Sequence, residues 1–214
     1  MKKTVLLLLL ISGFTSQAQI TDIDGNSYDT VRIGTQVWMA ENLNVSRFRN
    51  GDTIMEAKTA EEWAKAIENQ QPAWCYYDNN PENGDKYGKL YNWYTINDSR
   101  GLAPINYDIP THIEWTVLVD YCGGFDVAGK KLKSKSGWGF LHNGSNKSGF
   151  SGLPGGLCRD DGTFGFKKMY GYFWTSSEYH TNFVWTREID YSDRFVNGDP
   201  RPKVWGFSVR CIKD

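Results

Sequence analysis

The segment that decides how this chain folds is "VWGFSVRCIKD", residues 204–214. Successive side chains of a β-strand point to opposite faces of a sheet, so Phe207, Val209 and Cys211 share one face. A cysteine in such an apolar row faces some other part of the fold. The segment therefore predicts a strand whose apolar face packs on the core, with the Cys211 sulfur directed at a distant part of the chain.

The N-terminal 18 of the 214 residues predict an export signal. Lys2 and Lys3 precede an apolar run at residues 5–11, and small or polar residues lead to Ala18. This is the layout of a secretory signal peptide cleaved after Ala18, and an uncleaved anchor is the alternative. The run is too short to span a bilayer, and no second run of that length follows. We expect a secreted protein, in the periplasm or at the outer surface of a bacterium, that does not insert into a membrane once the signal is removed.

The charge balance excludes some partners. The chain has 24 basic and 25 acidic residues, a net charge of −1. Such a surface has no electrostatic reason to bind nucleic acid or anionic lipid. Residues 20–214 have the length of one domain, and they contain no fixed-period repeat or low-complexity tract. We therefore predict a single domain over residues 20–214.

Four cysteines remain after export: Cys75, Cys122, Cys158 and Cys211. None of them has the C-x-x-C spacing that is typical of zinc knuckles or thioredoxin-like redox pairs. In an oxidising compartment an even number indicates two disulfides, but four cysteines allow three connectivities. Free buried thiols are the alternative, because cysteine is also a common core residue.

Two capping boxes predict helices. Thr59 with Glu62, and Thr111 with Glu114, have the spacing at which a hydroxyl and a carboxyl group satisfy main-chain N–H groups at a helix start. The second helix carries an apolar stripe and should end at the two glycines that follow it. The residues of the stripe are Trp115, Leu118, Val119 and Cys122.

Glycine and aromatic residues predict the remaining elements. Asp24-Gly25 and Gly34-Thr35 are hairpin-turn signals between strand-forming segments. Residues 86–98 carry both helical and strand patterns, and we favour a short helix. After residue 130 the chain alternates short strands with turns, which is typical of an antiparallel sheet. The fold class is therefore predicted to be α+β.

Several blocks of the sequence carry a resemblance. In order along residues 21–214 they include "TDIDGNSYDTVRIGTQVWMAENL", "AWCYYDNNPENGDKYGKLYNWYTIND", "SGFSGLPGG", "GYFWTSSE" and "GFSVRCIKD". Together they resemble the Fibrobacter succinogenes major paralogous domain, a family that is defined mainly by sequence in exported bacterial proteins. The resemblance implies membership of that family, and it implies no particular activity.

The blocks "GYFWTSSE" and "GFSVRCI" also resemble the closing strands of the formylglycine-generating enzyme and C-type lectin-like superfamily. This resemblance implies a compact α+β core with two main helices and a twisted antiparallel sheet. Cys75 and Cys211 fit the pattern of the Fibrobacter succinogenes major paralogous domain family, whereas Cys122 and Cys158 are additional to that pattern. The resemblance therefore implies that Cys75 pairs with Cys211 and that Cys122 pairs with Cys158.

Catalytic and metal-binding patterns are weak. His112, His142 and His180 lie in polar or loop settings, where solvated surface histidines are the favoured interpretation. The segment at residues 22–26, "DIDGN", begins like a calcium loop, but its glycine comes too early and no glutamate follows at the twelfth position. We interpret it, and "PENG" at residues 81–84, as turns. No catalytic residue, metal or cofactor is predicted.

The chain contains nine Trp and twelve Tyr, more than a small core easily encloses. Some of these rings should reach the surface and bind sugars or proteins, although a purely core role is the alternative. We therefore predict a secreted, non-enzymatic module that binds glycan or protein at the cell surface. An oxidase or hydrolase on a formylglycine-generating-enzyme-like fold, and a structural envelope protein, are the alternatives. The candidate binding residues are Trp138, Tyr170, Tyr172, Trp185 and Arg187.

Overall fold

The computed structural model describes residues 19–139, 142–192 and 195–214, so the predicted signal peptide lies outside the described residues. The helices are α1 Ala60–Glu68, α2 Pro81–Tyr87, α3 Trp93–Ile96, α4 His112–Tyr121 and α5 Phe125–Leu132. The strands are β1 Gln19–Thr21, β2 Ser27–Ile33, β3 Gln36–Met39, β4 Met55–Glu56, β5 Ala73–Cys75, β6 Leu90–Asn92, β7 Tyr107–Asp108, β8 Leu157–Cys158, β9 Phe164–Gly165, β10 Tyr170–His180, β11 Phe183–Asp190, β12 Val196–Asn197, β13 Pro200–Pro202, β14 Gly206–Phe207 and β15 Ile212–Lys213.

The strands form three sheets. The first has the order β1-β2-β3-β15-β7, and the second has β10-β11-β12 with β13 also paired to β11. The third has the order β4-β5-β6-β14-β8-β9, in which β4 and β5 run parallel and the other neighbours run antiparallel. The helices and the antiparallel sheets together confirm the α+β class.

The C-terminal segment joins all three sheets. In the third sheet β14 lies between β6 and β8, and in the first sheet β15 lies between β3 and β7. Between these two strands Ser208 forms a bridge with Phe173 of β10 in the second sheet. Phe207, Val209 and Cys211 all lie in the largest core cluster, which confirms that they share a face.

Arg210 lies fully buried between those apolar residues and points the other way. Its guanidinium donates to Asn42 Oδ1 from Nη2 at 2.6 Å and from Nε at 3.1 Å. Its Nη1 donates to the main-chain oxygens of Met39, at 3.2 Å, and of Phe150. Burial lowers the pKa of Arg210 to about 9. Because a buried charge must be hydrogen-bonded to be tolerated, these contacts fix the C-terminal segment to two distant loops.

The two predicted helices are confirmed at their N-termini. Thr111 Oγ1 accepts from the Glu114 N–H at 3.1 Å, and Glu114 Oε2 accepts from the Thr111 N–H at 2.7 Å. Thr59 caps α1 in the same way, but there Glu62 reaches back one residue further, to the Lys58 N–H at 2.7 Å. The predicted apolar stripe of α4 is buried, and the helix ends where the glycines predict.

The prediction of a turn at "PENG" is wrong, because these residues begin α2. Asn80 Oδ1 accepts from the Glu82 N–H at 3.0 Å, and Pro81 occupies the first helical position, where a missing N–H has no cost. The segment at residues 86–98 is divided between β6 and α3, so the predicted short helix is correct only for its second half. Helix α5 was not predicted.

Both predicted hairpin turns are confirmed. Gly25 lies between β1 and β2 with φ of +87°, and Gly34 lies between β2 and β3 with φ of +63°. Positive φ is the conformation that glycine adopts without strain. These turns fix the register of the first sheet, which pairs Ile33 with Gln36 across the second turn.

The core consists of three clusters of buried side chains. The largest lies under β10 and β14 and contains Trp174 and Phe207. The second lies between helices α4 and α5 and the first two sheets, and it includes Trp115. The third packs α1 against the third sheet through Trp63. None of the helices in the described part of the chain is both long and apolar enough to cross a membrane.

Candidate ligand-binding cleft

Trp138 is a core residue. Its side chain is only 5% exposed and belongs to the second cluster. The indole N–H donates to Ser134 Oγ at 3.1 Å and to the Gly152 main-chain oxygen at 3.2 Å. A buried indole whose N–H is satisfied inside the protein has little surface to offer a ligand. The prediction of an exposed ring is therefore wrong at Trp138.

Tyr170 and Tyr172 lie together on one face of the β10–β11 hairpin. Their rings stack with centroids 5.4 Å apart, and the Tyr172 ring also stacks on Phe207 at 5.2 Å. Tyr172 is 5% exposed and belongs to the largest core cluster, so the exposed ring predicted there is also wrong. Tyr170 is half-buried, and burial together with a hydrogen bond to Asp190 raises its pKa to about 12.

A buried carboxyl group lies beside these tyrosines. Glu188 is directly opposite Tyr172 in the hairpin, and burial raises the pKa of its carboxyl. Arg201 of β13 forms an ion pair with it. The pair joins β11 to β13, and removing one partner would leave an uncompensated buried charge.

Trp185 and Arg187 lie on the opposite face of the hairpin. The Trp185 ring is 4.3 Å from the His112 ring, and Tyr179 meets its other side at 4.8 Å. Arg187 is buried, and its Nη2 donates to the His112 main-chain oxygen at 2.9 Å and to Thr116 Oγ1 at 2.6 Å. These contacts fasten β11 to α4. The five predicted binding residues therefore do not converge on one site.

The histidines lie apart from one another. Burial and the neighbouring Arg187 lower the pKa of His112 at the start of α4. His142 meets the edge of the Tyr191 ring at 5.6 Å, and His180 is exposed at the end of β10. Within residues 19–139, 142–192 and 195–214, no three His, Cys, Asp or Glu side chains form a group that could hold a metal ion.

The carboxylate of Asp22 is occupied by the turn that it begins. Its Oδ1 accepts from the main-chain N–H groups of Asp24, at 2.9 Å, and of Asn26, at 3.0 Å. Its Oδ2 accepts from the Asn26 side chain at 2.8 Å and from the Tyr28 hydroxyl at 2.6 Å. This arrangement stabilises the hairpin turn that the Asp-Gly pair predicts.

The structure does not contain the predicted disulfides. All four cysteines are buried free thiols, and the predicted partners lie in different clusters. Cys211 lies in the first cluster and Cys122 in the second, whereas Cys75 and Cys158 both lie in the third. The Cys211 sulfur thus faces the apolar core of the first cluster, and neither pair that the resemblance implies shares a cluster.

A cleft of about 920 Å³ lies at the tip of the β10–β11 hairpin. Four separate segments contribute to it: residues 70–72, 93–98, 178–183 and 202–204. Its lining combines aromatic rings with amide and carboxylate groups. The lining includes Trp93, Tyr94, Asn97, Glu178, Asn182, Phe183 and Lys203.

Helix α3 positions the floor of the cleft. Asn92 caps the helix by accepting from the Thr95 N–H at 3.0 Å, and it also accepts from the Ala73 N–H of β5 at 3.2 Å. The helix start is thereby fixed to the third sheet. The buried Trp93 ring packs 5.7 Å from Trp174 and forms the base of the cleft. Tyr94 follows it and is half-buried.

The hairpin tip forms the opposite wall. The Lys203 N–H donates to the Asn182 main-chain oxygen at 3.0 Å, which holds the tip against the segment after β13. The Lys203 ammonium forms an ion pair with Glu178 at 3.0 Å and lies 5.9 Å from the Trp93 ring. Lys203 and Glu178 are thus paired, which leaves this wall of the cleft close to neutral.

The open part of the cleft offers a ring and several amides. Phe183 is 40% exposed although it is apolar, and Asn182 and Asn97 are exposed near it. An amide side chain both donates and accepts hydrogen bonds, so it can satisfy a hydroxyl group in either role. A concave site that combines apolar rings with a few converging polar groups is the usual form of a small-ligand pocket.

A second, more polar cavity of about 450 Å³ surrounds the side chain of Lys89. The ammonium donates to the Asn44 main-chain oxygen at 2.5 Å and to Ser46 Oγ at 2.8 Å, and it lies 4.2 Å from the Trp74 ring. Burial lowers the pKa of Lys89 to about 8, and the charge of Asp24 opposes that shift. The side chain ties the loop after β3 to the third sheet.

Sequence reasoning missed the cleft because its walls come from four distant segments. In the sequence, Tyr94 belongs to the ambiguous segment at residues 86–98, and Asn182 and Phe183 belong to the region of short strands after residue 130. One signal was available: "TNF" at residues 181–183 places a large apolar residue directly after two polar ones at a hairpin tip, where an exposed ring is unusual.

A family model described as Fibrobacter succinogenes major domain matches residues 31–213, which is most of the chain. No curated protein and no solved structure matches the chain.

Proposed function

Because this chain belongs to the Fibrobacter succinogenes major domain family, we propose that it is an exported, non-enzymatic module that binds a glycan in the cleft at the tip of the β10–β11 hairpin. The observation that carries this proposal is that the exposed Phe183 ring and the amides of Asn97 and Asn182 line one cleft. Apolar rings pack on the C–H faces of sugars, and amides bind their hydroxyl groups.

The charges of the cleft favour a neutral saccharide over an anionic one. Lys203 is already paired with Glu178, and Asp98 is held by Arg100 through two hydrogen bonds of 2.7 and 2.8 Å. The hydrogen bonds from Arg100 lower the pKa of Asp98, so this carboxyl is ionised at neutral pH. An anionic ligand would meet this carboxylate without a spare cation in the lining.

We also propose that the domain is a distant relative of the formylglycine-generating enzyme and C-type lectin-like superfamily. The two sequence blocks that resemble its closing strands are neighbours here, since Phe173 and Ser208 form a bridge between them. In this interpretation the hairpin tip and the segment around Lys203 serve as the ligand-binding loops of a shared core.

The enzymatic alternative requires a histidine that meets a carboxylate or a thiol in a pocket. Among the described residues, the cleft lining contains no histidine and no cysteine. The oxidase chemistry of formylglycine-generating enzymes needs thiols that a substrate can reach, whereas the thiols here are buried. A binding role, by contrast, requires no reactive histidine or thiol in the cleft.

The proposal is tested with an array of neutral and acidic glycans, followed by calorimetric titration of any ligand retained. We expect a neutral oligosaccharide to bind, and we expect Phe183→Ala to weaken that binding at least tenfold, which is about 1.4 kcal/mol. Phe166→Ala is the matched control, because Phe166 is the same residue type with the same 40% exposure near Tyr170, away from the cleft.

The two variants also discriminate between sites. Weakened binding in Phe166→Ala with unchanged binding in Phe183→Ala would move the site to the Tyr170 face and reject the cleft. Retention of acidic glycans alone, or no glycan binding by the wild-type protein, would reject the proposal of a neutral saccharide.

A further inference from the structure

Two of the four thiols meet inside the third core cluster. Cys75 lies in β5 and Cys158 in β8, which are separated in the sheet by β6 and β14. Despite this separation both side chains lie buried in the same cluster, and burial together with the neighbouring Cys158 thiol raises the pKa of Cys75. Strands that are not neighbours can bring side chains into contact only if the sheet curls over its own face.

Contacts on either side of the two cysteines show this curl. Tyr77, two residues after Cys75, packs against Phe164 with ring centroids 5.1 Å apart. Phe164 is directly opposite Cys158 in the β8–β9 pair. A Cβ atom on Gly156, two residues before Cys158, would lie 2.7 Å from the Tyr77 ring. The flanking segments of both cysteines are therefore in direct contact.

A glycine between the strands leaves room for this approach. Gly206 of β14 is opposite Cys158, and a Cβ atom added there would lie 2.8 Å from the Trp63 ring and 3.2 Å from the Cys158 Cβ. Any other residue would push Trp63 or Cys158 aside. The curl of the third sheet and the absence of a side chain at Gly206 bring Cys75 and Cys158 together on the face of the sheet that α1 covers.

We propose that Cys75 and Cys158 are joined by a disulfide bond when the chain folds in an oxidising compartment. The inference does not depend on the ligand of the cleft. It replaces the pairing that the family resemblance implies, because Cys122 and Cys211 lie in the other two clusters. The bond would link positions that are 83 residues apart and would hold the curled sheet closed.

The chemistry balances with a disulfide-containing oxidant, either a small molecule or an oxidoreductase. One cysteine thiolate attacks a sulfur of the oxidant and displaces the other sulfur as a thiolate. The second cysteine thiolate then attacks the mixed disulfide, forms the Cys75–Cys158 bond and releases the remaining oxidant thiolate. The two cysteines lose two electrons and two protons, and the oxidant becomes two thiols.

Burial determines when this reaction occurs. Burial raises the pKa of the Cys75 thiol, and only the thiolate attacks a disulfide. Both sulfurs are also covered in the folded protein. The bond should therefore form while the sheet closes during folding, whereas the folded, reduced protein should oxidise slowly.

The direct test is disulfide mapping. The full-length chain is refolded from denaturant with reduced and oxidised glutathione, alkylated with N-ethylmaleimide under denaturing conditions, and digested without reductant. We expect one cross-linked pair, Cys75 with Cys158, at a mass two hydrogen atoms below the reduced peptides, with Cys122 and Cys211 alkylated. Alkylation of Cys75 and Cys158, or a cross-link from either to another cysteine, overturns the proposal.

A second measurement separates the bond from simple packing. Dithiothreitol should lower the denaturation midpoint of the oxidised wild-type protein, and it should leave the midpoint of a Cys75→Ala, Cys158→Ala double variant unchanged. Cys122→Ala is the control, because it removes another buried thiol and should retain the sensitivity to dithiothreitol. A wild-type midpoint that is the same with and without the reductant contradicts the proposal, even if the double variant is unstable.

Discussion

Arg210 and Asn42 form a buried pair in which one amide oxygen accepts two hydrogen bonds from one guanidinium, at 2.6 and 3.1 Å. Among the described residues, no carboxylate lies within ion-pair distance of Arg210. Its charge is instead distributed over neutral oxygens and the face of the Phe150 ring, 4.4 Å away. The planar, multiply donating guanidinium is suited to this task, and a lysine ammonium is not.

We predict that Arg210→Lys lowers the free energy of unfolding by about 3 kcal/mol or more, because it leaves buried acceptors without donors. Urea denaturation monitored by tryptophan fluorescence measures the change. Arg32→Lys is the control, since Arg32 is exposed in β2 of a sheet to which the C-terminal segment also belongs, and it should change stability by less than about 0.5 kcal/mol. Equal effects of the two substitutions would contradict the role assigned to Arg210.

Lys89 should make stability depend on pH. Its pKa in the folded protein is about 8, below the ordinary value of 10.5, so between these values the unfolded chain binds a proton that the folded protein does not. The stability of the wild-type protein relative to Lys89→Met should therefore rise by about 1.5 to 2 kcal/mol between pH 7 and pH 9.5.

Denaturation of both proteins at several pH values from 7 to 9.5 tests this prediction. The range stops below pH 10 because burial raises the pKa of Tyr91, and such tyrosines make stability fall as the unfolded chain ionises. A difference between wild type and Lys89→Met that stays constant or shrinks as the pH rises would show that Lys89 is not desolvated as described.

Substitution of Trp138 should affect stability far more than substitution of Tyr179. Trp138→Ala should destabilise the protein by about 3 to 5 kcal/mol, because it removes a buried ring and leaves a cavity. Tyr179→Ala should change the free energy of unfolding by less than about 0.5 kcal/mol, since Tyr179 is exposed. Thermal and urea denaturation measure both effects. A stable Trp138→Ala protein would restore the surface role that the sequence predicts.

The elements that sequence reasoning found are those with local causes. Thr111 and Glu114 satisfy each other's main-chain groups within one turn, and Gly25 and Gly34 supply a positive φ where a hairpin requires it. Such signals depend on a few neighbouring residues, so they can be read without the fold. Asn80 with Pro81 was a signal of the same kind, and the competing turn interpretation obscured it.

The features that sequence reasoning missed depend on contacts between distant segments. Cys158 and Cys75 share one cluster because the third sheet curls, and no spacing in the sequence reports that curl. Likewise, Tyr170 and Trp185 lie on opposite faces of one hairpin because the register of β10 and β11 sets their directions. The binding cleft has the same origin, since four separated segments form its walls.

Strands β14 and β15 pair between strands that come earlier in the sequence, and this order has a consequence for folding during synthesis. Strands β3 and β6 emerge from the ribosome more than one hundred residues before the segment that pairs with them. Until β14 and β15 are synthesised, the unpaired edges of β3 and β6 can associate with other chains. A folding rate limited by this late, long-range closure would make the nascent protein a client of holdase chaperones until its last strands are synthesised.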